Sequence, residues 1–524
     1  MKRILLMSIC LIQAIFSNAQ NDDDDKNIVI SNAKRSFKFV KGNSHQPVLV
    51  KEESDRTYLC NNYRTDVSVA EFYNDMQPIE EVSIWVDGSK RHGIVPKHEY
   101  YSSEGIFYSD ARICYFNLPL LKKGSTSQVN IAKTILDPHY FTSIYFADRQ
   151  AINEQEITVT VPSWMQVELK EYNFEKYHIQ KSKSVKDDAT IYTYSMKNLP
   201  AMKQEKQSPG ASYYAPHILV MSKSAQPKDE KYVYFNTLAD QYNWYRKLVL
   251  QINNDDAVIK QKADEIVKGI NTDEEKVKAI YMWVQDNIRY IAFENGIAGF
   301  KPEKAQEVLA KKYGDCKGMA NLLTEMLRSQ KLDARRCWIG TKHIAYDYST
   351  PSLSVDNHMI AAWMNKGKPV FLDATEKYIG FGEVAERIQG RQTLIENGDK
   401  FLLEHVPTAD YNQNTSLEKR VLTVEGNHLK GHVVQTWKGE NKEWILSQLN
   451  DTKQDKQENV LKRYLSEGKQ NFEISNLKIT NLTNYNADLK IEYDILWKDV
   501  ATSFDKETYI EINNRRNLEN FDID

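Results

Sequence analysis

Three residues of this chain, in order, carry the side chains of a thiol site. They are Cys316 within Tyr313-Gly314-Asp315-Cys316-Lys317-Gly318, His358 after Asn357, and Asp373 after Phe371-Leu372. Sulfur attacks a carbonyl as the thiolate, which a helix N-terminus and a neighbouring imidazolium both favour. Histidine can take and return the proton, and a carboxylate can hold the imidazole in one tautomer. The chemistry such a set supports is acyl transfer from an amide or peptide carbonyl through a thioester.

The elements that must position them are legible nearby. After Cys316, apolar residues fall at Met319, Leu322, Leu323, Met326 and Leu327, the spacing of one buried helical face. This predicts a helix with Cys316 in its first turn, where unpaired N–H groups and the dipole favour negative charge. Asp315 would oppose the thiolate if it faced the sulfur, so capping the helix is its better use. Lys317, of opposite sign, could favour the thiolate, but facing solvent is the default for such a side chain. His358-Met359-Ile360-Ala361-Ala362-Trp363 and Lys368-Pro369-Val370-Phe371-Leu372-Asp373 read as a β-hairpin around Asn365-Lys366-Gly367. Centring the pairing between 365 and 366 sets His358 directly opposite Asp373, and a one-residue slip would send Asp373 to the other face. His343 and Asp347 form a second His/Asp pair without a cysteine, read as a polar rim that contacts substrate.

Together these motifs, with Asn287-Ile288-Arg289-Tyr290 and Gly299-Phe300-Lys301-Pro302 upstream, resemble the transglutaminase-like core, a circularly rearranged relative of the papain-type cysteine enzymes. The resemblance runs from about Asn271 to Pro407. It implies an α+β fold with helices packed on an antiparallel sheet, Cys316 as nucleophile, His358 as general base and acid, and Asp373 as its orienting group. In that superfamily an upstream aromatic or amide side chain supplements the oxyanion hole; Tyr290 is the first candidate and Trp283 the second, and both read equally well as core aromatics. No calcium-loop motif of the animal crosslinking enzymes is evident, which tilts the reading toward a peptidase or amidase acting on a protein or a cell-wall peptide. No cofactor is expected. The rival reading is a non-catalytic envelope scaffold that keeps the fold; a third is a zymogen silenced by its N-terminal domain.

Around the core, residues 28–235 show short β-type runs such as Val82-Ser83-Ile84-Trp85-Val86 and Ile157-Thr158-Val159-Thr160-Val161, the pattern of an antiparallel β-sandwich. This part resembles the domain of unknown function that precedes transglutaminase-like cores in bacterial envelope proteins. Its aromatics, among them Tyr213-Tyr214 and Tyr232 to Phe235, could line a partner groove, but packing is their commoner use. The core is expected over 237–407. Thr272-Asp273-Glu274-Glu275 reads as a capping box, and Val277, Ile280, Tyr281, Val284 and Ile288 as the buried face of the helix it opens. Trp244, Leu248 and Ile252 suggest an earlier helix. Residues 415–524 read as a second β-rich domain, with helical pieces at Glu443 to Leu449 and Asn459 to Leu465, that ends with little of a terminal strand pair and so suggests a truncated parent.

Residues 1–19 have a positive start, an apolar stretch and small residues before Gln20, the pattern of a cleaved signal peptide. Cys10 lies inside that apolar stretch, which argues against lipidation. Four consecutive aspartates follow in a solvated linker. A periplasmic or secreted location is expected, with no integral membrane segment after cleavage and a possible envelope partner for the β-domains. Five cysteines in 524 residues exclude a disulfide-dense scaffold. Cys60 and Cys114 could pair in an oxidising compartment, and Cys337 reads as a buried core thiol. No Cys or His pair has zinc spacing. A net charge of -3 from 69 basic and 72 acidic residues gives no reason to invoke nucleic acid.

Overall fold

The computed structural model describes residues 27–101, 107–109, 111–202, 208–294 and 299–511. The signal-peptide reading of 1–19, Cys10 and the aspartate run lie outside the described residues.

The N-terminal part is built on an eight-stranded sheet whose long strands are Ile28–Lys41, Val48–Cys60, Thr126–Ile135, Ile79–Val86, Ile152–Pro162, Gln180–Lys186 and Ala189–Leu199. The expected antiparallel pattern needs correction here. Ile28–Lys41 pairs antiparallel with Val48–Cys60 but parallel with Ile152–Pro162, Phe37 lying beside Val159. Alternation reports which face a residue takes, not the direction of a partner more than a hundred residues away. A four-stranded sheet including Met165–Tyr172 and His217–Ala225, and a three-stranded one of Thr65–Tyr73, Lys97–Tyr100 and Arg112–Leu120, share its apolar core. Cys60 and Cys114 are both buried in that core as free thiols, not a disulfide.

The middle of the chain sets five helices against a five-stranded antiparallel sheet, ordered Lys368–Leu372, His358–Asn365, Ala334–Ile339, Gln392–Asn397 and Lys400–His405. Thr237 caps the helix Leu238–Leu250 with a full capping box. That helix buries Gln241, Tyr242, Tyr245 and Leu248, so Trp244 and Ile252 do not mark its inner face. Thr272 caps Asp273–Asn287 by accepting from the Glu275 N–H, and Val277, Ile280, Tyr281, Val284 and Ile288 are all buried. The helix Cys316–Ser329 lies at the centre. Its predicted face packs with Ala334, Ala361, Trp363 and Leu372, but Asn321 and Thr324 are fully buried too. A helix buried all round must satisfy its polar side. Asn321 does so by donating to the Glu303 carbonyl and accepting from Arg336.

After Asn414 the strands Ser416–Glu425, His428–Trp437, Leu489–Trp497 and Phe472–Thr480 form an antiparallel sheet in that order. The helices Gly439–Asn450 and Gln454–Leu465 cover it, burying Trp437, Trp497, Ile445 and Leu461. A hairpin of Ala501–Phe504 and Glu507–Ile510 follows where the sequence shows little of one. The fold is therefore α+β, a core of helices packed on an antiparallel sheet between β-rich flanks. No helix among the described residues is long and apolar enough to cross a membrane.

Candidate active site

Cys316 is the first residue of its helix, and Asp315 is the cap, its carboxylate accepting from the Gly318 N–H at 2.8 Å. The capping role predicted for Asp315 is what the structure shows. Lys317 instead overturns its expectation: it is buried and pairs with Asp315 at 2.6 Å, both side chains 8% exposed. One carboxylate thus meets both the helix end and the ammonium, leaving a compensated pair beside the sulfur. Gly314 and Gly318 are there for space, since a Cβ at either would stand 3.0 Å from Val308.

The hairpin register differs from the predicted one. Asn365 pairs with Lys368 and Ala361 with Leu372, so the turn is the two residues Lys366 and Gly367, both at positive φ. Two-residue turns of this kind match the twist of the strands they join. Asp373 is consequently a diagonal rather than a direct neighbour of His358. A shift of this size preserves the face, and diagonal side chains remain within reach. His358 Nε2 donates to Asp373 Oδ2 at 2.8 Å, with both side chains buried. This places the ring proton on Nε2 and leaves Nδ1 to exchange a proton with sulfur. Nδ1 is buried without a hydrogen-bond partner, and Cys316 is among the side chains that favour the charged His358 ring. Burial works against a charged ring, but Asp373 and Cys316 outweigh it and raise His358 to about 9. Asp373 is held below the usual carboxylate range by His358 and Arg387 despite its burial.

Arg387 is the member that the sequence reading missed. It comes from the short turn Glu386–Ile388, and Ile388 packs with Ile360 and Phe371 on the sheet. Its Nη2 donates to Asp373 Oδ2 at 2.9 Å and to Thr375 Oγ1 at 2.8 Å, and lies 3.3 Å from His358 Nε2. Its Nη1 pairs with Glu376. Thr375 in turn donates its hydroxyl to Asp373 Oδ1 at 2.6 Å, and its N–H lies 3.2 Å from the same oxygen. No local periodicity announces an arginine in a three-residue turn; the only signal is its place in a segment that must return to the sheet.

Of the two aromatic candidates, Tyr290 joins the apolar cluster that contains Cys316, and its strand pairs with Gly314. Trp283 packs instead on the helical cluster and carries Lys312 at 4.5 Å and Lys262 at 5.3 Å over its ring. His343 and Asp347 do not form a dyad. Asp347 accepts from the N–H and hydroxyl of Ser349, while the backbone of His343 abuts Gly210. Their loop is a docking surface for the N-terminal part: Tyr213 donates to the Ile344 carbonyl, and buried His217 bonds Tyr346. Cys337 is fully buried in the sheet, and burial pushes its thiol well up. Among the described residues no group of three His, Cys, Asp or Glu could hold a metal ion.

Comparison with known proteins agrees with this layout. Residues 260–367 match the transglutaminase-like superfamily, and residues 69–203 match a domain of unknown function, DUF3857. No curated protein matches the chain. In structure it is similar to a candidate protease from Parabacteroides distasonis, 12% identical, over 90% of this chain and 94% of that one, with a TM-score of 0.54. Weaker likenesses reach a candidate nutrient-binding protein of Legionella pneumophila (10% identical, 58% and 94% covered, TM-score 0.25) and a candidate cysteine protease of Cytophaga hutchinsonii (15%, 66% and 78%, TM-score 0.17). The chain thus carries a transglutaminase-like core preceded by a domain of unknown function and set between β-rich flanks.

Proposed function

We propose that this protein is an exported thiol enzyme that cleaves or transfers amide and peptide carbonyls. The observation that carries the reading is the pairing of His358 with Asp373 through Nε2, which leaves Nδ1 without a partner on a ring that Cys316 also acts on. The Cys316 sulfur forms a bond to the carbonyl carbon, and the oxyanion collects at the helix N-terminus. Collapse breaks the C–N bond, and the leaving amine takes its proton from His358 Nδ1. The thioester then passes its acyl group to water, which makes the enzyme a peptidase or amidase, or to an amine, which makes it a transferase. Proteins and cell-wall peptides are the substrates that suit an envelope location. Tyr290, beside the Cys316 cluster, is the aromatic that supplements the oxyanion site in this reading.

A second reading, a binding scaffold that keeps the fold without the chemistry, draws on one observation: Cys316 is only 6% exposed, in a cluster that also includes Leu219 of the N-terminal part. Trapping separates the two. The full chain is incubated with peptide and cell-wall fragments, quenched in acid, and the Cys316 peptide is weighed by mass spectrometry. An acyl adduct on Cys316 that disappears in His358→Ala supports the enzyme, and a bare thiol with every substrate pool supports the scaffold.

A further inference from the structure

The helix Gly439–Asn450 of the C-terminal domain docks on the core beside Arg387. Lys442, almost wholly buried, donates to both Glu383 oxygens at 3.1 Å and to the Tyr485 carbonyl at 2.5 Å. The Glu386 N–H donates to Glu440 at 2.8 Å. One residue from Lys442, Glu443 interacts electrostatically with Glu376, the carboxylate that pairs with Arg387. Burial, and then the Glu376 carboxylate, push the Glu443 carboxyl well above its usual range. The Glu440 and Lys442 bonds tie a helix outside the core to the segment that carries Arg387, whose guanidinium reaches Glu376 and Asp373, the partner of His358.

We infer that Arg387, with Glu376 and Glu443 behind it, is a positioning residue that sets how tightly His358 holds its proton, so that the C-terminal domain takes part in the thiol site. The inference rests on the thiol-enzyme reading and adds to it. Arg387 and His358 compete for the same oxygen, Asp373 Oδ2. Asp373 does not need Arg387 to stay in place, because Thr375 binds its other oxygen twice. The guanidinium therefore acts by charge. It offsets part of the carboxylate and keeps the imidazolium acidic enough to protonate a leaving amine. Glu376 in turn offsets part of the guanidinium. The other groups facing this line are Cys316 on His358, Tyr290 on Arg387, Tyr281 on Asp373, Glu376, Glu383 and Glu443, and Glu440 on Glu443.

The test uses the full chain and two reagents, anionic iodoacetate and neutral iodoacetamide, with Cys316 alkylation followed by peptide mass spectrometry. The iodoacetate to iodoacetamide rate ratio falls as the imidazolium beside the sulfur loses its proton, so its midpoint reports His358. In the wild type that midpoint should lie at about 9. Arg387→Gln should raise it by about one pH unit. The double variant Glu376→Gln/Glu443→Gln should lower it by roughly half a unit to one unit, because the full guanidinium charge then acts. Both carboxyls are replaced so that neither can offset the Arg387 charge. A loosened fold cannot move the midpoint in opposite directions. Midpoints that stay put or move the same way in both variants would overturn this inference alone. A wild-type ratio without a step, equal to that of His358→Ala, would overturn the thiol-enzyme reading and this inference with it.

Discussion

Two buried aspartates, Asp356 and Asp373, flank the start of the His358 strand and ionise in opposite ways. Both are at most 7% exposed. Asp373 meets an imidazole, a guanidinium and a threonine, and lies below the usual range. Asp356 meets only hydroxyls, Tyr245 donating to both oxygens and Tyr348 to one, each at 2.9 Å, and burial pushes it up to about 7. Neutral donors repay part of the desolvation of a carboxylate, whereas cations reverse it. The same contrast separates two histidines. His217, wedged between the N-terminal part and the core, donates Nδ1 to the Ala215 carbonyl and falls to about 4, while His358 with its carboxylate rises to about 9. Burial alone does not make a reactive centre; a balanced set of charges inside it does.

Breaking the charged centre should have the largest effect. His358→Ala should slow Cys316 alkylation at pH 6.5 by two to three orders of magnitude, roughly the worth of a positioned acid/base partner, read by stopped-time mass spectrometry. Asp373→Asn leaves Arg387 and a protonated His358 facing a neutral amide. It should cost about 3–5 kcal/mol in urea unfolding at pH 6.5 and bring His358 down toward or below its ordinary value. The linkage has a definite window. Because the folded state raises His358 from 6.5 to about 9, its stabilisation is complete below about pH 6.5 and fades as pH rises through 9. The stability gap between wild type and His358→Asn should therefore narrow over that interval, and a gap independent of pH would contradict the assignment.

The hydroxyl-bound centre sharpens the comparison with the opposite sign. Asp356 is an acid raised in the folded state, so the wild type loses stability between about pH 4 and pH 7, as the unfolded chain releases a proton that the folded one keeps. Asp356→Asn removes that loss. Its stability relative to wild type should climb by about 2–4 kcal/mol from pH 4 to pH 7 and level off above, with alkylation of Cys316 changed little. The smallest effect is expected at Trp283, which Lys262 and Lys312 cover: Trp283→Phe should leave the alkylation rate within about twofold, and a larger fall would place that ring back in the site.

The sequence discloses the parts of this site whose signals are local. Cys316 heads its helix because apolar spacing and a capping aspartate lie within a few residues of it, and the parity of the hairpin puts His358 and Asp373 on one face. The exact register is less accessible, since within Asn365-Lys366-Gly367 the turn can be centred between 365 and 366 as readily as between 366 and 367, where it is observed. Lys317 could not be placed, because an ion pair with its own cap residue is a tertiary outcome of burying the helix on every side. Arg387, Glu376 and Glu443 belong to three separate segments, the last in another domain, and no period or motif connects them. The parallel pairing of Ile28–Lys41 with Ile152–Pro162 was hidden for the same reason.

The most direct test of the central claim is the rate at which iodoacetamide modifies Cys316 at pH 6.5 in the full chain, with His358→Ala and the buried Cys337 as internal references. Cys316 should react at least about a hundredfold faster than it does in His358→Ala, and faster still than Cys337. A Cys316 that reacts at the same rate with and without His358 would contradict it and leave the protein a scaffold with a thiol it does not use.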